Sequence, residues 1–274
     1  MHITTRGARI WVHEQGTGPA LLLLGGLSDP AETWQAQIDA FSDRYRVIAS
    51  DNRGAGRSPI PAAGVTIGAM AEDAADVLRE LGVEQAHVMG FSMGGAIAQE
   101  LALSHPDLVR SLVLNGTFSH PDAYFRQMVL GWMTAARHAS SERELLETFF
   151  LWIYTRRAHQ DGTVAALITE ALGSPLAQTP DGFYAQAQAC IDWPGTAQRL
   201  GAIAAPALVT VGGEDIVCPA RLSRELVAGL PDAELIVLPG EAHQPFQEAP
   251  EKFNRIVEGF WRRVERGQDE RAAA

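Results

Sequence analysis

Ala86-His87-Val88-Met89-Gly90-Phe91-Ser92-Met93-Gly94-Gly95 joins a strand to a helix. Residues 86–90 form a short apolar run of strand length, and a helical pattern starts near Gly94, so Ser92 falls on the connection. A serine flanked by glycines at 90 and 94 can occupy a strained turn, because strand and helix meet no side chain on either side of it. Its hydroxyl then projects past the carboxyl edge of a sheet. The same residue would also suit a simple helix cap, so the meaning of the pentapeptide depends on what surrounds it.

Outward from this turn, further apolar runs occupy residues 20–24, 46–50, 111–114, 207–211 and 235–238, each bounded by Gly, Pro or Asp. Residues 3–5 and 9–13 read as an opening hairpin, with Gly7 in its turn and Gln15-Gly16-Thr17-Gly18 closing it. Amphipathic stretches alternate with the runs. Met70, Ala74, Val77, Leu78 and Leu81 recur at helical spacing up to Gly82, and Phe253, Ile256, Val257, Phe260 and Val264 do so after Pro250. Strand and helix in alternation predict βαβ units on a mostly parallel sheet of eight strands, covered by helices on both faces. From 119 to 200 the strand rhythm stops and aromatic residues accumulate in helical patterns, which predicts an inserted helical cap. The core is then 1–118 with 201–274, and 268–274 is expected to be a disordered, frayed tail.

The length of 274 residues suits one such unit with a lid-sized insertion. With 46% hydrophobic and 20% charged residues, the chain is ordinary globular protein rather than disordered or fibrous. Lys plus Arg number 22 against 33 Asp plus Glu, a net charge of −11, and such a field repels phosphate backbones and anionic lipid. Nucleic acid and membrane are therefore not expected partners. Two cysteines, Cys190 and Cys218, are too few for a disulfide framework and are expected as free thiols. No charged-then-apolar leader opens the sequence, and the expected location is cytoplasmic.

An alcohol is a weak nucleophile at neutral pH, so Ser92 needs a base within hydrogen-bond reach and a third group to orient that base. His243 follows the run 235–238, and Asp215 follows the run 207–211 through Gly212-Gly213-Glu214. Both lie past the carboxyl ends of strands, on the edge where Ser92 emerges. Glu214 is the alternative acid, while Asn115, after the run 111–114, has no carboxylate. An oxyanion would need pre-aimed backbone donors. The Met93 N–H is one candidate, and the Leu27 N–H, in the turn Gly25-Gly26-Leu27-Ser28, is the other. Gly26 leaves room for substrate against main chain, and Trp132, Trp152 and Trp193 are the cap rings expected to line an apolar pocket. This chemistry calls for no metal and no organic cofactor.

Several pieces together resemble the α/β-hydrolase superfamily over nearly the whole chain. They are Gly90 to Gly94, the turn Asp51-Asn52-Arg53-Gly54-Ala55-Gly56-Arg57-Ser58, Gly212 to Pro219, and His243 with Glu248 and Pro250 behind it. Asp51 to Ser58 is expected to be an ordered loop with a local Asp–Arg interaction, and Glu248 a positioning residue. Ser-Met-Gly-Gly after Phe91, and the stretch from Gly182-Phe183-Tyr184 to Arg199-Leu200, are similar to 3-oxoadipate enol-lactonases and small carboxylesterases. The oxyanion turn departs from the His-Gly of many relatives, and from the His-Gly-Gly-Pro-Gly of proline iminopeptidases. Ser92 stands where epoxide hydrolases and haloalkane dehalogenases carry Asp.

The resemblance implies a serine hydrolase acting on a small carboxylic ester or lactone, as monomer or homodimer. The same triad would also serve C–C bond hydrolysis, acyl transfer or haloperoxidase-like chemistry. A non-catalytic small-molecule receptor on the same fold is the alternative of another class.

Overall fold

In the computed structural model the described residues are 1–176 and 178–273, with the side chains of 268–273 outside the description. Strands β1 (His2–Thr4) and β2 (Arg9–Gln15) form the opening hairpin. They are followed by β3 (Ala20–Leu24), α1 (Gln35–Phe41), β4 (Arg46–Ser50), α2 (Ile67–Glu80), β5 (Ala86–Phe91), α3 (Met93–Ser104) and β6 (Val109–Asn115). Five helices come next: α4 (Ala123–His138), α5 (Glu142–Ile153), α6 (Arg156–Gln160), α7 (Thr163–Gly173) and α8 (Pro180–Asp192). The chain then returns through β7 (Ala207–Gly212), α9 (Ala220–Gly229), β8 (Ala233–Leu238), α10 (Pro245–Glu248) and α11 (Pro250–Ala273).

The eight strands make one sheet in the order β1-β2-β4-β3-β5-β6-β7-β8. β2 pairs antiparallel with β1 and β4, and every pair from β4 through β8 is parallel. This is the mostly parallel, eight-stranded α/β sheet expected from the alternating runs.

β3, β5 and β7 are buried at every position because both faces of the sheet are covered there, whereas β1, β2 and β8 at its two ends are partly exposed. Leu22 and Leu24 of β3, Val88 of β5 and Leu112 and Leu114 of β6 pack under α2 and α3 with Leu78, Ile97 and Leu101. Leu21 and Leu23, Met89 and Val113 point the other way, onto Ile38 and Phe41 of α1 and Phe253, Val257 and Trp261 of α11. A fully buried leucine of this kind contributes roughly 1.5–3 kcal/mol relative to an exposed one. α2 begins at Ile67, three residues before the recurrence at Met70, because the Thr66 side chain accepts from Ala69 N–H and caps it.

Parallel strands deliver their carboxyl ends to one edge. The turns after β3, β5, β6, β7 and β8 therefore carry residues 25–29, 92, 116–117, 213–218 and 239–243 to a common rim.

α4 to α8 stand between β6 and β7, and the return from them is pinned to α3. The Trp193 indole donates to Glu100 Oε1 at 2.8 Å, Arg199 pairs with the same carboxylate at 2.7 Å, and Thr196 Oγ1 donates to Gln99 Oε1 at 2.6 Å. Among the described residues no helix is long and apolar enough to cross a membrane. The frayed tail expected over 268–274 lies, for its side chains and for Ala274 altogether, outside the described residues, while the backbone of α11 is helical through Ala273.

Candidate active site

Ser92 has φ 52° and ψ −115°, and with Ser28 (φ 73°) it is one of two non-glycine residues in the left-handed region among those described. Such a conformation costs on the order of 1–3 kcal/mol and persists only where its surroundings impose it. Here they do. Ser92 N–H donates to Asn115 O at 3.0 Å, and Ser92 O accepts from Thr117 Oγ1 at 2.7 Å and from Gly95 N–H at 3.0 Å. A Cβ on Gly94 would run into Leu24 O, and one on Gly90 into Gly94 O. Strand and helix can make this turn only with glycine at both positions.

Over the turn sits His243, its Nε2 at 3.2 Å from Ser92 Oγ and its Nδ1 at 2.8 Å from Asp215 Oδ2. Asp215 is held by its other oxygen: Oδ1 accepts from Val217 N–H at 2.9 Å and Cys218 N–H at 2.8 Å, which leaves Oδ2 to the imidazole. Because the carboxylate accepts, the proton of a neutral ring resides on Nδ1, and Nε2 is free to accept from the serine hydroxyl. The structure thus brings Ser92, His243 and Asp215 together. It leaves Glu214 exposed, and buries Asn115 with its Oδ1 accepting from Thr210 Oγ1 at 2.9 Å. Cys218 and Cys190 are free and buried, and burial pushes both thiols up.

The turn after β3 lies beside Phe91. Gly26 N–H donates to Asp29 Oδ2 at 2.9 Å, and Ser28 N–H donates to Gln186 Oε1 at 2.8 Å. Between these two engaged amides, Leu27 N–H has no acceptor among the described residues, and neither has Met93 N–H at the start of α3. Gly26 has no free donor, and a Cβ there would meet the Phe91 ring at 2.9 Å and Asp29 Oδ2 at 3.0 Å. Burial raises the Asp29 carboxyl to about 6, opposed by its bond from Gly26, by the charge of His243 and by Thr33.

None of the three tryptophan rings pairs with the imidazole among the described residues. Trp193 packs edge-on against Phe118, with its N–H committed to Glu100. Trp132 of α4 meets Phe149 at 5.4 Å and Trp152 at 6.2 Å, both on α5. The ring that packs on His243 is Phe91, at 4.7 Å.

The loop carrying His243 is tied to the end of α5. His243 N–H donates to Ile153 O at 3.0 Å, and Tyr154 OH donates to Gln244 Oε1 at 2.6 Å. Glu248 accepts from Thr155 N–H (2.9 Å), Thr155 Oγ1 (2.6 Å) and Ala242 N–H (2.8 Å), while Arg157 pairs with Glu241 at 3.0 Å. In the loop after β4, Asp51 pairs with Arg57 at 3.0 Å, and Arg53 is buried against Asp73 of α2. Thr117, Asp29 and Gln186 carry no mark in the sequence, and Tyr154 is one of the aromatic residues that accumulate over 119–200. Thr117, Tyr154 and Gln186 act on partners at least 25 residues away, for which no local pattern exists, while Asp29 binds Gly26 N–H three residues before it. Among the described residues no three His, Cys, Asp or Glu side chains cluster as metal ligands.

The sequence model of the family described as alpha/beta hydrolase fold matches residues 19–250. The chain belongs to that family. The chain is similar to a relative provisionally named carbamate hydrolase RutD, from Azorhizobium caulinodans. That protein is 31% identical over 255 residues, covering 92% of this chain and 95% of its own. A thermophilic esterase from Thermogutta terrifontis superposes with a TM-score of 0.86 at 26% identity, over 96% of this chain and 98% of that one. The enol-lactonase from Burkholderia xenovorans gives 0.84 at 22% identity over 95% and 99%, a likeness of fold. The α/β-hydrolase is thus a hydrolase by family, with the rim of its sheet as the candidate active site.

Proposed function

We propose that this α/β-hydrolase is a serine hydrolase that cleaves small carboxylic esters or lactones through an acyl-enzyme. The observation that carries the reading is the unbroken hydrogen-bonded line from Ser92 Oγ through both nitrogens of His243 to Asp215 Oδ2. In the first half-reaction Ser92 Oγ forms a bond to the carbonyl carbon as His243 Nε2 takes its proton. His243 then returns that proton to the leaving alkoxide as the C–O bond breaks. In the second half-reaction water loses its proton to Nε2 and attacks the acyl-enzyme, and Ser92 recovers the proton as the acid departs. Asp215 holds the tautomer and stabilises the imidazolium, and the unengaged N–H groups of Leu27 and Met93 are assigned to the oxyanion.

The name of the RutD relative favours a second reading, a carbamate handled by the same steps with a carbamoyl group on Ser92. A panel of short acyl esters, γ- and δ-lactones, N-alkyl carbamates and long-chain triglycerides, assayed with wild type and Ser92→Ala, tests the proposal. Turnover of short esters or lactones by wild type alone supports it. Preference for carbamates moves the substrate to the second reading. Efficient triglyceride hydrolysis, or turnover undiminished in Ser92→Ala, overturns it.

A further inference from the structure

Gln186 is buried in the middle of α8, the last helix before the chain returns to β7, yet both ends of its amide are spent on loops at the rim of the sheet. Its Oε1 accepts from Ser28 N–H at 2.8 Å, and its Nε2 donates to Arg53 O at 2.9 Å. Since one partner can only donate and the other only accept, the orientation of the amide is determined by its surroundings. The far end of this link is rigid. Arg53 donates to Asp73 Oδ1 at 2.9 Å and to Gly64 O at 3.1 Å, and neighbouring Asn52 Nδ2 donates to Gly25 O at 3.0 Å. The first turn of α8 lies backbone to backbone on the same loop, where a Cβ on Gly182 would run into Gly54 O. The cap helix, the Arg53 loop and the turn after β3 are therefore one hydrogen-bonded body.

What that body holds is Leu27. The residue before it has its N–H on Asp29. The residue after it, Ser28, is in the left-handed region at φ 73°, and its N–H is on Gln186. A serine pays for that conformation only while something fixes it, and the Gln186 amide is the group that binds its N–H.

We propose that Gln186 is a positioning residue of the oxyanion turn, through which the cap fixes the direction of the Leu27 N–H. The inference rests on the serine hydrolase reading above. It makes the cap part of the reaction's electrostatics and not only a cover over the substrate. Oxyanion donors act through placement, and a displacement of about 1 Å is enough to cost on the order of 100-fold in rate.

The test is Gln186→Met, which keeps length and volume but removes both hydrogen bonds, with Gln186→Asn as a second variant that keeps the amide and shortens its reach. For each, kcat and KM for a short ester, the inhibition constant of phenylboronic acid and the fraction of sites titrated by a fluorophosphonate are measured. Phenylboronic acid forms a tetrahedral adduct whose oxygen occupies the oxyanion position. The expected result is a fall of about 10- to 100-fold in kcat, KM within about 2-fold, and a boronate inhibition constant raised by the same factor as kcat/KM falls, on fully titratable enzyme. A reduced titratable fraction with an unchanged boronate constant would assign Gln186 to folding alone and overturn the inference, as would wild-type kcat in both variants. If Gln186→Met does not fold, Gln186→Asn decides by the same readouts. Failure of the underlying reading is distinct: wild type itself would then not be labelled at Ser92.

Discussion

His243 Nε2 and Ser92 Oγ, 151 residues apart in sequence, stand 3.2 Å apart at the rim of the sheet. The distance is that of a hydrogen bond before reaction, from which the bond tightens when substrate binds. Neither side chain could reach the other from a different edge, so the parallel arrangement of β5 and β8 is what makes the pair.

Replacement of Asp215 by Asn preserves the shape of the site but presents an amide where His243 Nδ1 now finds a carboxylate at 2.8 Å. The amide NH2 can bind only an unprotonated Nδ1, which puts the proton on Nε2 and blocks acceptance from Ser92. Steady-state kinetics should show kcat lowered by on the order of 10³- to 10⁴-fold with folding intact. A loss below about 10-fold would remove Asp215 from its assigned part.

Asp29 makes stability depend on pH. Its carboxyl is raised from 3.8 to about 6, chiefly by burial, so between about pH 4 and 6 the folded state binds more protons than the unfolded one. Stability contributed by this group is therefore highest below pH 4 and is lost as pH rises towards 6 and above. Asn can still accept from Gly26 N–H without a charge to desolvate. Denaturant unfolding should find Asp29→Asn more stable than wild type at pH 7.5, by about 1–3 kcal/mol, with the gain disappearing near pH 4. A gain independent of pH, or a loss at pH 7.5, would contradict this account of the carboxylate.

Glu248 holds the start of α6 to the loop of His243 with three hydrogen bonds on one carboxylate, from Thr155 N–H, Thr155 Oγ1 and Ala242 N–H. Glu248→Ala leaves two backbone donors without partners and should destabilise the protein by about 2–4 kcal/mol. Hydrogen exchange should quicken at Thr155 and Ala242 ahead of the sheet, as expected of local opening at a joint. Unchanged exchange at both amides would mean the joint is held by other contacts.

Strands β3 to β8 were legible because each contains a short apolar run closed by Gly, Pro or Asp, and β1 and β2 because of the Gly7 turn between them. In a sheet covered on both faces nothing further is needed, and β3 and β4 coincide with their runs. β6 starts two residues before its run, at Val109, since its first residues pair with β5 around an irregularity that leaves no mark in composition. At the rim, Asp215 could be preferred to Glu214 because the Gly pair sets where the loop turns inward, and the fold leaves Glu214 in solvent. Gln186 and Tyr154 could not be read in this way. A glutamine in a helix and a tyrosine after one are unremarkable until Ser28, Arg53 and Gln244 arrive from 158, 133 and 90 residues away. Trp193 shows the converse, a residue conspicuous in sequence whose ring and N–H are occupied by Phe118 and Glu100.

If Ser92 is the nucleophile, a fluorophosphonate labels it, because the reagent reports an activated serine whatever the natural substrate. Peptide mass spectrometry of the labelled protein should find a single adduct, on Ser92, absent from Ser92→Ala together with p-nitrophenyl acetate turnover. An adduct on another residue, or a Ser92→Ala protein that still turns over the ester at the wild-type rate, would contradict the account.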